Sequence, residues 1–414
     1  MSIGKINYMK KQSNTPQIRF QNYEDGWDVE KLKNIFGTIR NAFVGTATPY
    51  YVEKGKFYLE SNNVKNGKIN YISQIFINDE FYEKQRDKWL KTNDIVMVQS
   101  GHVGHTAVIP EELNNTAAHA LIVFTDYKKE VNPHFLNYQF QSNGKRKELD
   151  LISTGNTIKH ILASEMKDFK MDFPTVDEQS SIGFLFCTLD DLLESYKDNL
   201  TNYQYLKVTM ISKMFPKAGE TVPEIRLDGF EGEWEIKRAD EIFKSVSEKN
   251  KASLPVLSAS QIDGMVLRDE LGIDIKYDEA TLNNYKVVKP GQFVIHLRSF
   301  QGGFALSKLE GITSPAYTII DFIDKANNLP DFWNSILTSR DFIKRLETVT
   351  YGIRDGKSIS FKDFSSLKFV FPNFKEQQAI GAYFSNLDNL ISAHQEKISQ
   401  LETLKKKLLQ DMFI

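Results

Sequence analysis

Apolar residues recur with heptad spacing in two widely separated stretches of the chain. In the first, Ile182, Phe186, Leu189, Leu193, Tyr196, Leu200, Tyr203, Lys207, Met210 and Met214 follow one another at alternating steps of four and three. That spacing lays one continuous seam along a helix. The second stretch repeats it with Ile380, Phe384, Leu387, Ile391, His394, Ile398, Leu401, Lys405, Leu408 and Met412. A Phe-Pro pair precedes each stretch, Phe173-Pro174 and Phe371-Pro372, so proline blocks helical continuation upstream, and an acidic residue follows where the first turn's dipole favours it. A helix of some 36 residues is a rod of roughly 54 Å, and it carries more apolar stripe than it can bury against itself. The pattern predicts two rods that pair with each other in an antiparallel coiled coil. Lys207 and Lys405 occupy the same seam position in both copies, where a polar residue either fixes register or snorkels outward.

The helices belong to a longer internal repeat. Pro16-Gln-Ile-Arg-Phe, Tyr23-Glu24 and Trp27-Asp28-Val29 recur as Pro223-Glu-Ile-Arg-Leu, Phe230-Glu231 and Trp234-Glu235-Ile236. Likewise Glu178-Gln179, Ile182-Gly183, Phe186 and Leu189-Asp190 recur as Glu376-Gln377, Ile380-Gly381, Phe384 and Leu387-Asp388. Between these blocks, residues 30 to 172 and 237 to 370 match only in fragments, so the order is variable, shared, variable, shared. The expected blocks are 1–173, 174–216, 217–371 and 372–414. The expected fold is α+β, with two mixed α/β domains in pseudo-two-fold arrangement separated by the long helices. Trp27 and Trp234 sit in alternating strand-like text and are expected as core anchors. Residues 3–15 occupy the position that Met210–Thr221 occupies before the second copy. The chain is thus circularly arranged, and its N-terminus is expected near the end of the last helix.

Composition adds limits. With 414 residues, 41% apolar and 26% charged, two or three globular units are expected. Cys187 is the single cysteine and nowhere do 18 apolar residues run together, which suits a reducing, cytoplasmic setting rather than secretion or a membrane. The 52 basic and 54 acidic side chains nearly cancel, so nucleic-acid binding requires a local arrangement of cations.

The variable stretches hold such arrangements. Around the glycines of Gln99-Ser-Gly-His-Val-Gly104, the candidates for contact with bases or phosphates are Gln99, Ser100 and His102; the corresponding text of the second copy offers Arg298, Ser299 and Gln301. A polar segment nearer each long helix adds Lys145, Arg146 and Lys147 with Thr154, Asn156 and Lys159 in the first copy, and Tyr351, Arg354, Lys357 and Ser358 in the second. Equally, such text suits a solvated turn. Catalytic patterns do not emerge. Gly352 to Ser358 is one residue short of a phosphate loop, the His102/His105 pair has no carboxylate at useful spacing, and Asp150 with Glu165 and Lys167 only faintly imitates a nuclease. Thr48-Pro-Tyr-Tyr51 and Ser314-Pro-Ala-Tyr317 lack the Asn or Asp of an amino-methyltransferase. No catalytic residue and no metal ligand is assigned.

Two divergent domains, each followed by a long helix that opens with Phe-Pro and Glu-Gln-x-x-Ile-Gly, resemble the specificity subunit of Type I restriction-modification enzymes over nearly the whole length. The Trp27 and Trp234 segments, Gly291-Gln-Phe-Val-Ile and Ser314-Pro-Ala-Tyr317 carry the resemblance too. It implies that each variable stretch is a target recognition domain reading half of an interrupted, asymmetric double-stranded DNA site. It implies that the helices set the gap and dock two methyltransferase subunits, and that restriction subunits join them. The cofactors, S-adenosylmethionine on the methyltransferase subunits and ATP with Mg on the restriction subunits, are then held by partners and none by this chain. The alternative is a coiled-coil scaffold that joins partner proteins without reading DNA.

Overall fold

The structure is a computed structural model that describes residues 6–8, 14–155, 159–260, 263–271, 279–296, 303–347 and 361–414. It divides into two compact units, Met1–Lys197 with Glu396–Ile414, and Asp198–Gln395. These are not the linear blocks of the sequence, because each long helix begins in the core of one unit and ends in the core of the other.

In the first unit the ordered elements are β1 (Asp28–Lys31), β2 (Phe36–Asn41), β3 (Ile95–Val98), β4 (Thr106–Val108), β5 (Leu121–Tyr127), α1 (Pro133–Gln141), α2 (Asn143–Ile152), β6 (Lys170–Phe173) and α3 (Val176–Met214), with shorter strands between β2 and β5. The main sheet has the antiparallel order β4-β3-β5-β2. Its central strands are buried along their length, Ile95 to Val98 and Leu121 to Phe124, which explains why the sequence reads there as continuous apolar runs rather than alternation. Asn132 caps α1 by accepting from the Phe135 N–H at 3.0 Å, and Pro133 follows in the first turn, where its missing N–H is not needed.

The shared motifs close this unit. β6 pairs antiparallel with β1, Phe173 opposite Asp28, and so brings the Phe-Pro text beside the Trp27 strand. Glu178, in the first turn of α3, is fully buried and receives both arms of the Arg19 guanidinium, each at 2.7 Å. The adjacent Gln179 accepts from the Asn132 N–H at 3.0 Å and donates to the Pro174 carbonyl at 2.9 Å, which locks α1 to α3. Gly183 is required by that approach, since a Cβ there would lie 2.8 Å from Asn132 Oδ1. Trp27 is 1% exposed, as its strand context predicts, and its ring meets Phe135 at 5.6 Å and Phe413 at 6.4 Å. Phe413 also stacks on Phe186 at 5.8 Å. Phe413, just beyond the last helix, thus packs into the core built around Trp27.

The second unit repeats the plan with β7 (Glu235–Arg238), β8 (Phe243–Val246), β9 (Phe293–Ile295), β10 (Phe304–Leu306), β11 (Thr318–Phe322), α4 (Pro330–Leu337), α5 (Arg340–Glu347), β12 (Lys368–Phe371) and α6 (Phe374–Asp411). Its sheet runs β10-β9-β11-β8, and β7 pairs with β12. Arg226 grips the buried Glu376 at 2.8 and 2.7 Å, and Gln377 accepts from the Leu329 N–H at 3.1 Å. Trp234 meets Phe332 at 6.3 Å and Phe215 at 6.0 Å.

Each unit contains a stretch of both helices, running in opposite directions. In the first, Lys405 meets Asp190 at 2.5 Å and Lys197 meets Glu402 at 2.6 Å. In the second, Lys207 meets Asp388 at 2.5 Å, and the Tyr203 and His394 rings lie 5.1 Å apart. Both seam lysines are therefore ion-paired to the aspartate of the other helix rather than turned outward. The Asp190 carboxylate also accepts from the Tyr138 hydroxyl at 2.8 Å, so this polar layer is satisfied on both oxygens. Such layers give up some stability and favour one register.

The two ends of the repeat make separable predictions. Phe413→Ala should cost about 3–5 kcal/mol in the first unit, with faster hydrogen exchange in Leu121–Phe124 and none in Phe293–Ile295. Phe215→Ala should reverse that pattern; equal loosening of both strands by either change would contradict the assignment.

Candidate nucleic-acid interface

The turn between β3 and β4 needs left-handed backbone at Gly101 (φ +79°) and Gly104 (φ +78°), which is why two glycines stand there. The turn closes with Gly104 N–H on Val98 O at 3.0 Å and Val98 N–H on His105 O at 2.8 Å. The segment after α2 folds onto it. Thr154 and His160 exchange backbone hydrogen bonds at 2.9 and 2.8 Å, Ile161 N–H donates to Gln99 O at 3.0 Å, and Gly101 N–H donates to Lys159 O at 3.2 Å. Two polar segments that the sequence presents some fifty residues apart are thereby knitted into one surface. It carries Gln99, Ser100, His102, Thr154 and Lys159; Asn156 lies outside the described residues.

Helix α2 forms the next part of this surface. The Gly144-Lys-Arg-Lys147 text, which as a polar segment equally suits a solvated turn, is helical and capped by Ser142, which accepts from the Lys145 N–H at 3.3 Å. Helical spacing then sorts its cations. Lys145 shares the inward face with Leu149, is 4% exposed, and pairs with Asp172 at 2.9 Å and Glu148 at 3.2 Å. It is a structural residue, and the expectation that it contacts DNA is corrected. Arg146 and Lys147 are exposed and have no carboxylate partner among the described residues. Lys159 is held by Asp150 at 2.8 Å, but both side chains are exposed, and such a surface pair contributes only about 0–1 kcal/mol.

Arg146 lines a cavity of about 130 Å³ together with Val103, Gly104, His105, Leu149 and Asp150. In the sequence His105 stands only as half of a weak metal pair; its ring lies 6.3 Å from that of His102. Its Nδ1 accepts from the Asn66 N–H at 3.3 Å. Asn66 belongs to a hairpin, Val64–Lys65 with Lys68–Ile69, whose turn residues Asn66 (φ 51°) and Gly67 (φ 85°) are both left-handed. Asn-Gly is a strong short-range hairpin signal and marks this element, although the same pair at Asn143-Gly144 opens a helix. Nothing in the sequence places it beside His105. Burial lowers the His105 pKa below its ordinary value, and the neighbouring Arg146, His102 and Lys65 push in the same direction.

In the second unit β9 and β10 form the matching hairpin, closed by His296 N–H on Gly303 O at 3.0 Å. Arg298, Ser299, Gln301, Tyr351, Arg354, Lys357 and Ser358 all lie outside the described residues. The helix-pairing set falls into two groups. Ile182, Phe186, Leu189, Leu193, Ile380, Phe384, Leu387, Ile398 and Leu401 are buried, while Leu200 and Ile391 are half-buried. Ile380, Phe384 and Leu387 belong to the same cluster as Trp234, Phe332 and Phe371, so the seam doubles as domain core. Among the described residues no helix is long and apolar enough to cross a membrane.

Comparison with known proteins agrees with this architecture. The family described as the Type I restriction modification DNA specificity domain matches the chain twice, over residues 24–203 and 231–403. The Type I restriction enzyme MjaVIII specificity subunit of Methanocaldococcus jannaschii is 22% identical over 420 residues, 96% of this chain and 95% of that one. The EcoBI specificity subunit of Escherichia coli is 21% identical over 221 residues, 51% of this chain and 47% of its own. Among solved structures, the S subunit of a Type I restriction-modification system from M. genitalium superposes with a TM-score of 0.63 at 15% identity, covering 97% of this chain and 99% of that one. With its repeated fold and two matched domains, the chain belongs to the family of Type I restriction-modification specificity subunits.

Proposed function

We propose that this chain is the non-catalytic, sequence-reading subunit of a Type I restriction-modification assembly. Its two recognition domains read the unlike halves of an interrupted DNA target, and its paired helices set the gap between them. The observation that supports this most directly is the contrast within the repeat. The Arg–Glu clamps, the tryptophan cores, the sheet order and the reciprocal Lys–Asp layers are kept in both copies. The text that follows β3 in one copy and β9 in the other differs, Gln99-Ser-Gly-His against Arg298-Ser-Phe-Gln. A repeated frame that carries two unlike variable sequences suits a reader of an asymmetric site.

Phosphate contacts position such a protein and base contacts give it sequence preference. The first unit offers Arg146 and Lys147 for the former, with Gln99, Ser100, His102 and Thr154 at the knitted turn for the latter. The net charge of −2 leaves much of the phosphate neutralisation to others. Two methyltransferase subunits docked on the helices would supply it, together with S-adenosylmethionine. Restriction subunits would bring ATP and Mg. The working compartment is then the cytoplasm. The scaffold reading is not favoured by the matches to specificity domains.

Sequencing methylated DNA from cells that carry this chain with its methyltransferase should return one motif with two unlike halves and a fixed gap. Scattered methylation or an unbroken motif would contradict the reading. The isolated chain should bind that site weakly and the methyltransferase-bound assembly tightly; nanomolar binding by the chain alone in moderate salt would overturn the division of labour. Arg146→Ala and Lys147→Ala should each flatten the salt dependence of the assembly's affinity by about one unit of slope. Lys145→Met should leave that slope unchanged and lower stability by a few kcal/mol, about 3–5 for a broken buried pair.

A further inference from the structure

The cavity beside the knitted turn holds a side chain in a defined protonation state. A backbone N–H can only donate, so the Asn66 N–H at 3.3 Å requires a lone pair on His105 Nδ1. The ring proton of the neutral imidazole therefore sits on Nε2. No hydrogen bond to Nε2 is made among the described residues, and the ring lines the cavity of about 130 Å³. The groups around it come from three elements. Arg146 and Asp150 stand on α2, His102 on the same turn, and Lys65 on the short hairpin; Asp150 is already paired with Lys159.

Resting on the reading that this surface meets duplex DNA, we propose that His105 is a specificity-determining residue. Its Nε2–H donates to a hydrogen-bond acceptor on the major-groove edge of a purine in the half-site read by the first domain. A histidine that binds phosphate gains by becoming an imidazolium. Here partial burial and the neighbouring Arg146 and Lys65 oppose that charge, and protonation would also cost the bond from Asn66. What remains is a neutral donor, half-exposed beside the cavity and fixed in one tautomer, with Arg146 and Lys65 able to take backbone phosphates. In the major groove the purine N7, and the guanine O6 beside it, are acceptors, whereas cytosine presents an N–H donor that Nε2–H would meet unfavourably. Sequence preference therefore arises from a mismatch of donors as well as from the bond itself.

The test uses the chain assembled with its methyltransferase subunits and compares wild type with His105→Asn and His105→Gln. Asparagine retains an acceptor for the Asn66 N–H and is too short to reach the groove, whereas glutamine places an amide donor near the former Nε2. Methylation mapping should show the Asn variant relaxed at one position of one half-site, losing roughly fivefold to tenfold discrimination, the effect of about one hydrogen bond. The Gln variant should keep more of it, and the other half-site should be unchanged in both. An Asn variant with an unaltered motif overturns the proposal while leaving the DNA-reading function intact. So does an equal weakening on all sequences with a shallower salt slope, which marks a phosphate contact. Absence of any bipartite motif in wild type would instead defeat the underlying function. Independently of DNA, ¹⁵N-histidine spectra of the full chain near neutral pH should show His105 protonated on Nε2 alone. A proton on Nδ1, or on both nitrogens, overturns the tautomer on which the proposal stands.

Discussion

An apolar stripe that runs the length of a 39-residue helix has to be covered by something equally long, and in this chain the matching stripe lies on the 38-residue helix of the second copy. That constraint organises the rest. Because the helices run in opposite directions, the start of each falls in the unit where the other ends. Phe413 therefore packs with Trp27 and Phe186, and Phe215 with Trp234 and Phe384. Neither core is complete with its own half of the sequence alone. The polar layers follow the same logic, since Asp190 takes Lys405 and Asp388 takes Lys207.

Where the sequence repeats, buried ion pairs and close helix approaches fix the packing within each unit. A buried carboxylate without a partner is costly, so Glu178 and Glu376 tolerate little change in Arg19 or Arg226. Gly183 and Gly381 stand close to the helix in front of them: a Cβ would lie 2.8 Å from Asn132 Oδ1 at the first and 3.0 Å from Leu329 Cδ2 and 3.2 Å from the Phe332 nitrogen at the second, so a side chain at either requires the neighbours to shift. In the first unit the turn between β3 and β4 is carried by Gly101 and Gly104 and leaves His102 exposed.

Heptad spacing made the helix pair legible, because the seam is a one-dimensional pattern that survives in a linear text. Alternation around Trp27 and Trp234 marked them as core for the same reason. What the sequence hid was tertiary. Arg19 and Glu178 were both visible as repeated motifs, yet their pairing across 159 positions was not. Lys145 looked like its neighbours Arg146 and Lys147, and only the phase of a capped helix turns it inward toward Asp172. His105 offered a weak metal pattern, while the residue that fixes its tautomer comes from a hairpin 39 positions upstream.

The central claim is that the length of the helix pair sets the distance at which two unlike domains meet DNA. Inserting four residues, about one turn and roughly 6 Å of rise, at facing points of both helices and then mapping methylation tests it most directly. The account predicts a changed gap between two unchanged half-sites. An unchanged gap, from an assembly that still methylates, would contradict it.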